Sequence, residues 1–79
     1  MNTFEEVKDI ISEHSGVEKE AINIGSHLQE DLNLDPLSIT DIMAAIEEKF
    51  KIEIPKDNIV NLTSISDIVE FIEDKLEES

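Results

Sequence analysis

Residues 35–50 read DPLSITDIMAAIEEKF, and this stretch decides the fold of the chain. Asp35 is a residue type that caps helices well, and Pro36 follows at the first helical position, where a missing backbone N–H costs nothing. Apolar side chains then recur every three or four residues from Leu37 to Phe50, which is the spacing of one helix face. The stretch is therefore predicted to form a long amphipathic helix.

A second helix is predicted upstream, from about Thr3 to His14. Thr3 and Glu6 have the spacing of a capping box, in which a threonine hydroxyl caps the helix and a glutamate reaches back. Apolar residues recur at helical spacing between these bounds, and Gly16 supplies the stop because glycine readily takes the left-handed conformation.

The connection between these helices is long, about nineteen residues from Val17 to Asp35. A structureless loop of that length is unusual in a compact domain unless it packs or carries function. A turn is predicted at Gly25-Ser26, and a short helical turn near Leu28–Asp31. The apolar residues of this loop are expected to pack on the core: Ala21, Ile22, Ile24, Leu28, Leu32 and Leu34.

The C-terminal part adds one short and one long helix. Pro55 biases the residue before it toward extended backbone, and Lys56–Asn61 is predicted to form a short, weak helix. Ser64 and Asp67 have the spacing of a second capping box, which opens a final amphipathic helix. Its apolar residues are Ile65, Ile68, Val69, Phe71, Ile72 and Leu76. The predicted fold class is all-α: three longer helices and one short helix in one domain spanning residues 1–79.

The net charge excludes several classes of partner. The chain has 20 acidic and 6 basic residues, none of them arginine, for a formal net charge of −14. Direct binding to nucleic acid needs a basic surface, and anionic membranes would repel the chain. Disorder is one interpretation of high charge with few aromatic residues. The clear apolar periodicity favours the other, a folded protein recognised by basic partner surfaces.

Other features narrow the class further. There is no cysteine, so neither a disulfide nor a thiolate metal site is available. No apolar run is long enough for a transmembrane helix, and none near Met1 is typical of a signal peptide, so a cytoplasmic location is expected. The chain is also expected to be a monomer.

Catalytic residues are sparse. His14 ends a predicted helix, where a cation is mildly stabilising, and His27 lies in the loop without an evident partner. Glu30-Asp31 and Glu47-Glu48 are carboxylate pairs, but nothing indicates the apolar pocket that would raise one pKa for acid catalysis. An enzyme is not expected.

A calcium site is also not predicted. Residues 31–35, DLNLD, match the first three ligand positions of an EF-hand loop. The sixth position of such a loop must be glycine, and here it is Pro36. The twelfth should be a bidentate glutamate, and here it is Ile42.

Acidic residues are concentrated in the middle of the chain. The stretch from Glu20 to Glu48 contains seven acidic residues and no lysine. An ordinary solvated helix face is one interpretation of this pattern. The other is a docking surface, because a single-sign field along a helix attracts a basic partner.

The order of these parts resembles the acyl carrier protein family. The resemblance rests on EDLNLDPL at residues 30–37, AIEEKF at 45–50, IEIP at 52–55 and TSI at 63–65. It implies a four-helix bundle whose second helix docks on basic patches of partner enzymes. It also implies a 4'-phosphopantetheine arm on the serine of an Asp-Ser-Leu motif, which carries acyl groups as thioesters. By position, the resemblance assigns partner binding to Asp35, Leu37, Asp41, Glu47 and Glu48.

Position 36 departs from the family motif. Pro36 has no hydroxyl and cannot accept the arm. Ser38 is the nearest hydroxyl, but two residues along a helix correspond to about 200° of rotation. Three explanations are open: an unmodified docking or regulatory protein, a carrier with another attachment point, or a change introduced at a natural serine.

The main hypothesis is a protein that docks basic enzyme surfaces without a phosphopantetheine cofactor. The alternative is a functional acyl carrier protein of fatty-acid or related thioester biosynthesis, modified at Ser38 or altered at position 36. A plain acidic bundle without carrier ancestry is the third possibility.

Overall fold

A computed structural model describes residues 2–78 of the chain. Within that range the helices are α1 Thr3–Ser15, α2 Pro36–Phe50, α3 Lys56–Ile59 and α4 Ile65–Glu78. A 3-10 turn, Lys19–Ala21, lies in the loop between α1 and α2, and these residues contain no β-strand. The predicted all-α bundle of three longer helices and one short helix is confirmed.

One hydrophobic cluster fills the space between the helices. Helix α1 packs against both α2 and α4. Ile11, Ile46, Ile68 and Ile72, which come from these three helices, are 0% exposed. Each such side chain stabilises the fold by roughly 1.5–3 kcal/mol relative to exposure, so apolar packing can hold the chain without a disulfide.

Helix α1 is capped by Asn2, and the prediction that Thr3 is the cap is wrong by one residue. The Asn2 Oδ1 accepts a hydrogen bond from the Glu5 amide at 2.8 Å, and Asn2 has the extended backbone that a cap needs. Thr3 already lies inside the helix. At the other end Gly16 has φ 80°, as the predicted stop requires, and its amide donates to the Ser12 carbonyl.

The long loop packs on the core through four of its six predicted apolar residues, namely Ile22, Leu28, Leu32 and Leu34. The other two contradict the prediction. Ala21 is exposed at the end of the 3-10 turn, and Ile24 is 48% exposed. Ile24 lies within a tight turn closed by a hydrogen bond from the Ser26 amide to the Asn23 carbonyl, so its side chain points to solvent.

A helical turn shapes the middle of this loop. The amides of Asp31 and Leu32 donate to the His27 carbonyl at 3.0 and 3.1 Å, which confirms the predicted helical turn.

The capping box before α4 is also confirmed. Ser64 Oγ accepts from the Asp67 amide, and Asp67 Oδ2 accepts from the Ser64 amide, each at 3.3 Å.

The buried face of α4 is shorter than predicted. Ile65, Ile68, Val69 and Ile72 are buried, whereas Leu76 in the last turns is 42% exposed. Helix α4 extends past the core that it covers, so its apolar contacts weaken toward the C-terminus.

Candidate functional site

The start of α2 is built as predicted. Asp35 is extended, and its Oδ1 accepts a hydrogen bond from the Ser38 amide at 2.7 Å. The backbone and side-chain hydrogen bonds from Ser38 lower the pKa of Asp35, because they favour the charged carboxylate. Pro36 occupies the first helical position. The helix that begins here therefore has a satisfied N-terminus.

Pro36 borders a cleft of about 320 Å³ between α2, α3 and the loop that precedes α2. Helix α2 contributes Pro36, Ile39 and Thr40 to its lining, and Ile59 and Val60 form the wall on the side of α3. Pro36 is exposed, so position 36 is open to a partner protein.

Ser38 faces a different side of the helix and is half-buried. It is therefore not among the residues that line the cleft bordered by Pro36.

The hydroxyl that does share the side of position 36 belongs to Thr40. Its Oγ1 donates to the Pro36 carbonyl at 2.9 Å, and the residue lines the cleft. Thr40 was not predicted from the sequence as part of the site. Its spacing of four residues from Pro36, about 40° around the helix, is the signal that identifies it.

Three of the five residues assigned to partner binding share one exposed side of α2. Leu37, Asp41 and Glu48 follow at helical spacing, with Ala44 between them, and all four are exposed. Leu37 is 78% exposed. We call these four residues the outer face. Ala44 was not singled out from the sequence, although its spacing of seven residues from Leu37 places it there.

Glu47 is not part of the outer face. It is half-buried, and its Oε2 accepts a hydrogen bond from the Ile54 amide at 2.7 Å. Asp35, the fifth residue of the assigned set, is exposed at the N-terminal end of the helix next to Leu37. The structure therefore places Asp35 at the N-cap and half-buried Glu47 beside the α2–α3 connection, both outside the outer face.

The calcium-like sequence is used for loop structure. Asp31 Oδ2 accepts a hydrogen bond from the His27 amide at 2.7 Å. Among residues 2–78, no group of three histidine or carboxylate side chains is arranged to hold a metal ion. In the same part of the chain, no helix combines the length and the apolar character needed to cross a membrane.

Comparison with known proteins identifies the class to which this bundle belongs. The family model described as "Phosphopantetheine attachment site" matches residues 5–72. The chain is 44% identical to the acyl carrier protein of Campylobacter hominis over 73 residues, which cover 92% of each chain. It is 40% identical to that of Campylobacter concisus over 73 residues, with 92% of this chain and 95% of the relative covered. Identity to that of Helicobacter hepaticus is 38% over 73 residues, or 92% and 96% of the two chains.

The chain belongs to the acyl carrier protein family. The resemblance noted in the sequence is confirmed, and a plain acidic bundle without carrier ancestry is excluded.

Pro36 does not fit phosphopantetheine, the group named in the description of the matching family model. Attachment of phosphopantetheine requires a side-chain oxygen that can form a phosphodiester. The helix cap, the exposure and the neighbouring cleft are all in place, but Pro36 offers only ring carbons.

Proposed function

We propose that this protein is recognised through the outer face of α2 by enzymes that act on carrier-bound acyl groups. We further propose that it carries no phosphopantetheine at position 36. One observation supports both parts: an exposed Leu37 lies among carboxylates on one side of α2, next to a proline whose side chain has no hydroxyl to accept phosphopantetheine. It would act as a monomeric, non-catalytic domain of the cytoplasm.

The composition of the outer face indicates the kind of partner. Asp41 and Glu48 present carboxylates that attract lysine and arginine, and long-range attraction raises the association rate. Leu37 can enter an apolar pocket at the centre of such a contact, where a few buried side chains supply most of the affinity. The matching surface is therefore basic with an apolar depression.

A second candidate is a functional acyl carrier protein of fatty-acid or related thioester biosynthesis. The comparisons favour it, because the relatives quoted above are all named acyl carrier proteins and the matching family is described by phosphopantetheine attachment. For the chain as it stands, this candidate requires attachment at another hydroxyl such as Ser38. Alternatively, it requires that a serine at position 36 has been replaced.

Intact mass separates the two candidates. The protein is incubated with coenzyme A and a broad-specificity phosphopantetheinyl transferase, with a serine-bearing acyl carrier protein as the positive control. An unchanged mass supports the unmodified docking protein. A gain of one phosphopantetheine supports the carrier, and fragment mapping together with a Ser38→Ala variant then locates the acceptor.

Binding to acyl-carrier-dependent enzymes tests the docking face directly. Leu37→Ala should weaken binding by about tenfold, and Glu48→Gln by about two- to fivefold at low salt. Glu13→Gln is the matched control, because Glu13 is exposed on α1 and loses the same charge. Equal weakening by Glu13→Gln would show that net charge, and not the outer face, governs binding.

A further inference from the structure

The carboxylate of Glu47 bridges two elements of the fold. Its Oε2 accepts a hydrogen bond at 2.7 Å from the amide of Ile54, seven residues later in the connection between α2 and α3. Glu47 is half-buried, and the Ile54 side chain is 5% exposed. The bond therefore lies at the edge of the core and not on an open surface.

The backbone of this connection needs such an acceptor. Helix α2 ends at Phe50, and Lys51 turns the chain with φ 57°. The Ile52 amide donates to the Glu47 carbonyl at 3.1 Å, but the chain then runs toward Ile54 without a strand partner. An amide beside the core that lacks an acceptor is destabilising. Glu47 thus accepts two hydrogen bonds from the connection, one with its main-chain carbonyl and one with its side-chain carboxylate.

The held segment leads directly into one wall of the cleft. Pro55 follows Ile54 and is the N-cap residue of α3, where the Ile59 amide donates to the Pro55 carbonyl at 3.2 Å. Ile59 and Val60 then line the same cleft as Pro36. Helix α3 has four residues, too few to persist without external support. Its position therefore depends on how the preceding residues are anchored.

We propose that Glu47 is a positioning residue whose carboxylate anchors the α2–α3 connection and thereby holds the α3 wall of the cleft. This role differs from the partner contact that the family resemblance assigns to it. A partner cation would have to share this carboxylate with the short, charge-assisted hydrogen bond that its Oε2 already accepts. Glu48, about 100° further around the helix, is exposed and offers its carboxylate to the partner.

Hydrogen exchange of the free protein, measured by NMR, tests the proposal without any partner. Glu47→Gln keeps an oxygen that accepts the Ile54 hydrogen bond but removes the charge. Glu47→Ala removes both, and Glu47→Asp keeps the charge but is too short to reach. We expect exchange of the Ile54 and Ile59 amides to rise by about tenfold in the Ala and Asp variants. The Gln variant should stay within about threefold of the parent.

Control variants and control amides make the result specific. Glu48→Ala should leave exchange at Ile54 unchanged, and amides in the middle of α1 should be unaffected in all variants. If Glu47→Ala fails to fold, the comparison of Gln with Asp still decides. Equal exchange at Ile54 in the parent and in the Asp variant, or equal acceleration in Gln and Asp, would overturn the proposal.

A binding measurement distinguishes this proposal from the proposed docking function. Of the experiments described, only this one depends on that function. Glu47→Gln should bind an acyl-carrier-dependent enzyme as the parent does, whereas Glu48→Gln should bind more weakly. Loss of affinity in Glu47→Gln equal to that in Glu48→Gln would overturn the positioning role. Unchanged affinity in both variants would refute the docking face, and it would agree with Glu47 making no partner contact.

Discussion

Thr40 donates its side-chain hydroxyl to the carbonyl oxygen of Pro36, 2.9 Å away across the first turn of α2. This bond joins two residues that line the cleft, and the side chain of Asp35 caps the first turn from the position before the helix. Proline at the first helical position removes a donor that this position does not use. The two hydrogen bonds that close the start of α2 therefore do not involve the side chain of residue 36.

The first prediction follows from this independence. Pro36→Ser should place a hydroxyl at the family's attachment position, next to an intact cap, and a phosphopantetheinyl transferase should then modify the chain. Intact mass after incubation with coenzyme A is the measurement. Pro36→Ala is the matched control, since it removes the ring without adding an oxygen.

The helix should tolerate both substitutions at position 36. Far-UV circular dichroism is expected to be unchanged, and each variant should lose about 0.5–1 kcal/mol because the unfolded chain gains freedom when proline is removed. An unmodified Pro36→Ser variant would show that the recognition surface itself has changed. A mass gain in Pro36→Ala would place the acceptor elsewhere, and fragment mapping would distinguish Ser38 from Thr40.

A second prediction concerns acid stability. The pKa of Asp35 is lowered in the folded chain by the hydrogen bonds from Ser38. The unfolded chain therefore binds a proton on this carboxyl more readily than the folded chain does. The resulting stabilisation is complete above the ordinary pKa of 3.8 and is lost as the pH falls through the lower, folded-state value.

Asp35→Asn isolates this contribution, because asparagine also caps helices but does not titrate. Thermal unfolding of both proteins is measured from about pH 6 to about pH 3. The advantage of the parent over the Asn variant should shrink as the pH falls. A constant difference over that range would mean that the carboxylate of Asp35 is not favoured by folding.

The sequence predicted those elements whose signals are local. Asp35 and Pro36 mark the start of α2 by residue type alone, and Gly16 marks the end of α1 in the same way. Asn2 was not predicted as the cap of α1. Both Asn2 and Thr3 are residue types that can cap a helix, and only the backbone conformation shows which of them does so. The exposure of Ile24 was missed because hydrophobicity does not indicate which loop residue lies at the tip of a turn.

The candidate site was also predictable only in part, because its local spacing can be found in the sequence but its longer-range contacts cannot. Helical spacing places Leu37, Asp41 and Glu48 on one side, so the outer face can be found from residue numbers alone. The hydrogen bond between Glu47 and Ile54 depends on how the chain turns back after α2. No pattern of adjacent residues contains that information, and Glu47 and Glu48 look equivalent until the turn is known.

A third prediction concerns the two left-handed residues that end α1 and α2. Lys51 adopts φ 57°, where a side chain costs roughly 1 kcal/mol that glycine does not pay. Lys51→Gly should therefore raise the free energy of unfolding by about 0.5–1 kcal/mol, measured in urea. Gly16 has φ 80°, and a Cβ there meets no neighbouring atom, so Gly16→Ala should cost about 1 kcal/mol through backbone strain alone.

Lys51→Gln is the control for the lost charge at position 51. It removes the lysine cation but retains a side chain in the strained conformation. If the Gly and Gln variants have the same stability, the charge and not the backbone determines the effect at Lys51.

The fourth prediction concerns the effect of salt on the whole fold. With 20 acidic and 6 basic groups, the folded chain brings like charges together, and this repulsion weakens the compact state. The ion pairs Lys8–Glu5, Lys19–Asp9 and Lys49–Glu6 involve partly exposed groups and contribute little to oppose it. Sodium chloride or magnesium should therefore raise the melting temperature, since the Debye length falls to about 8 Å at 0.15 M.

A variant of reduced charge separates screening from general salt effects. Glu13 and Glu73 are exposed on α1 and α4, outside these ion pairs, and each reversal to lysine removes two units of negative charge. The double variant Glu13→Lys with Glu73→Lys should melt higher at low salt and gain less from added salt than the parent does. Equal gains in the two proteins would mean that salt acts by a route other than screening. A parent whose midpoint stays constant from low to moderate salt would show that self-repulsion is not what limits the stability of this bundle.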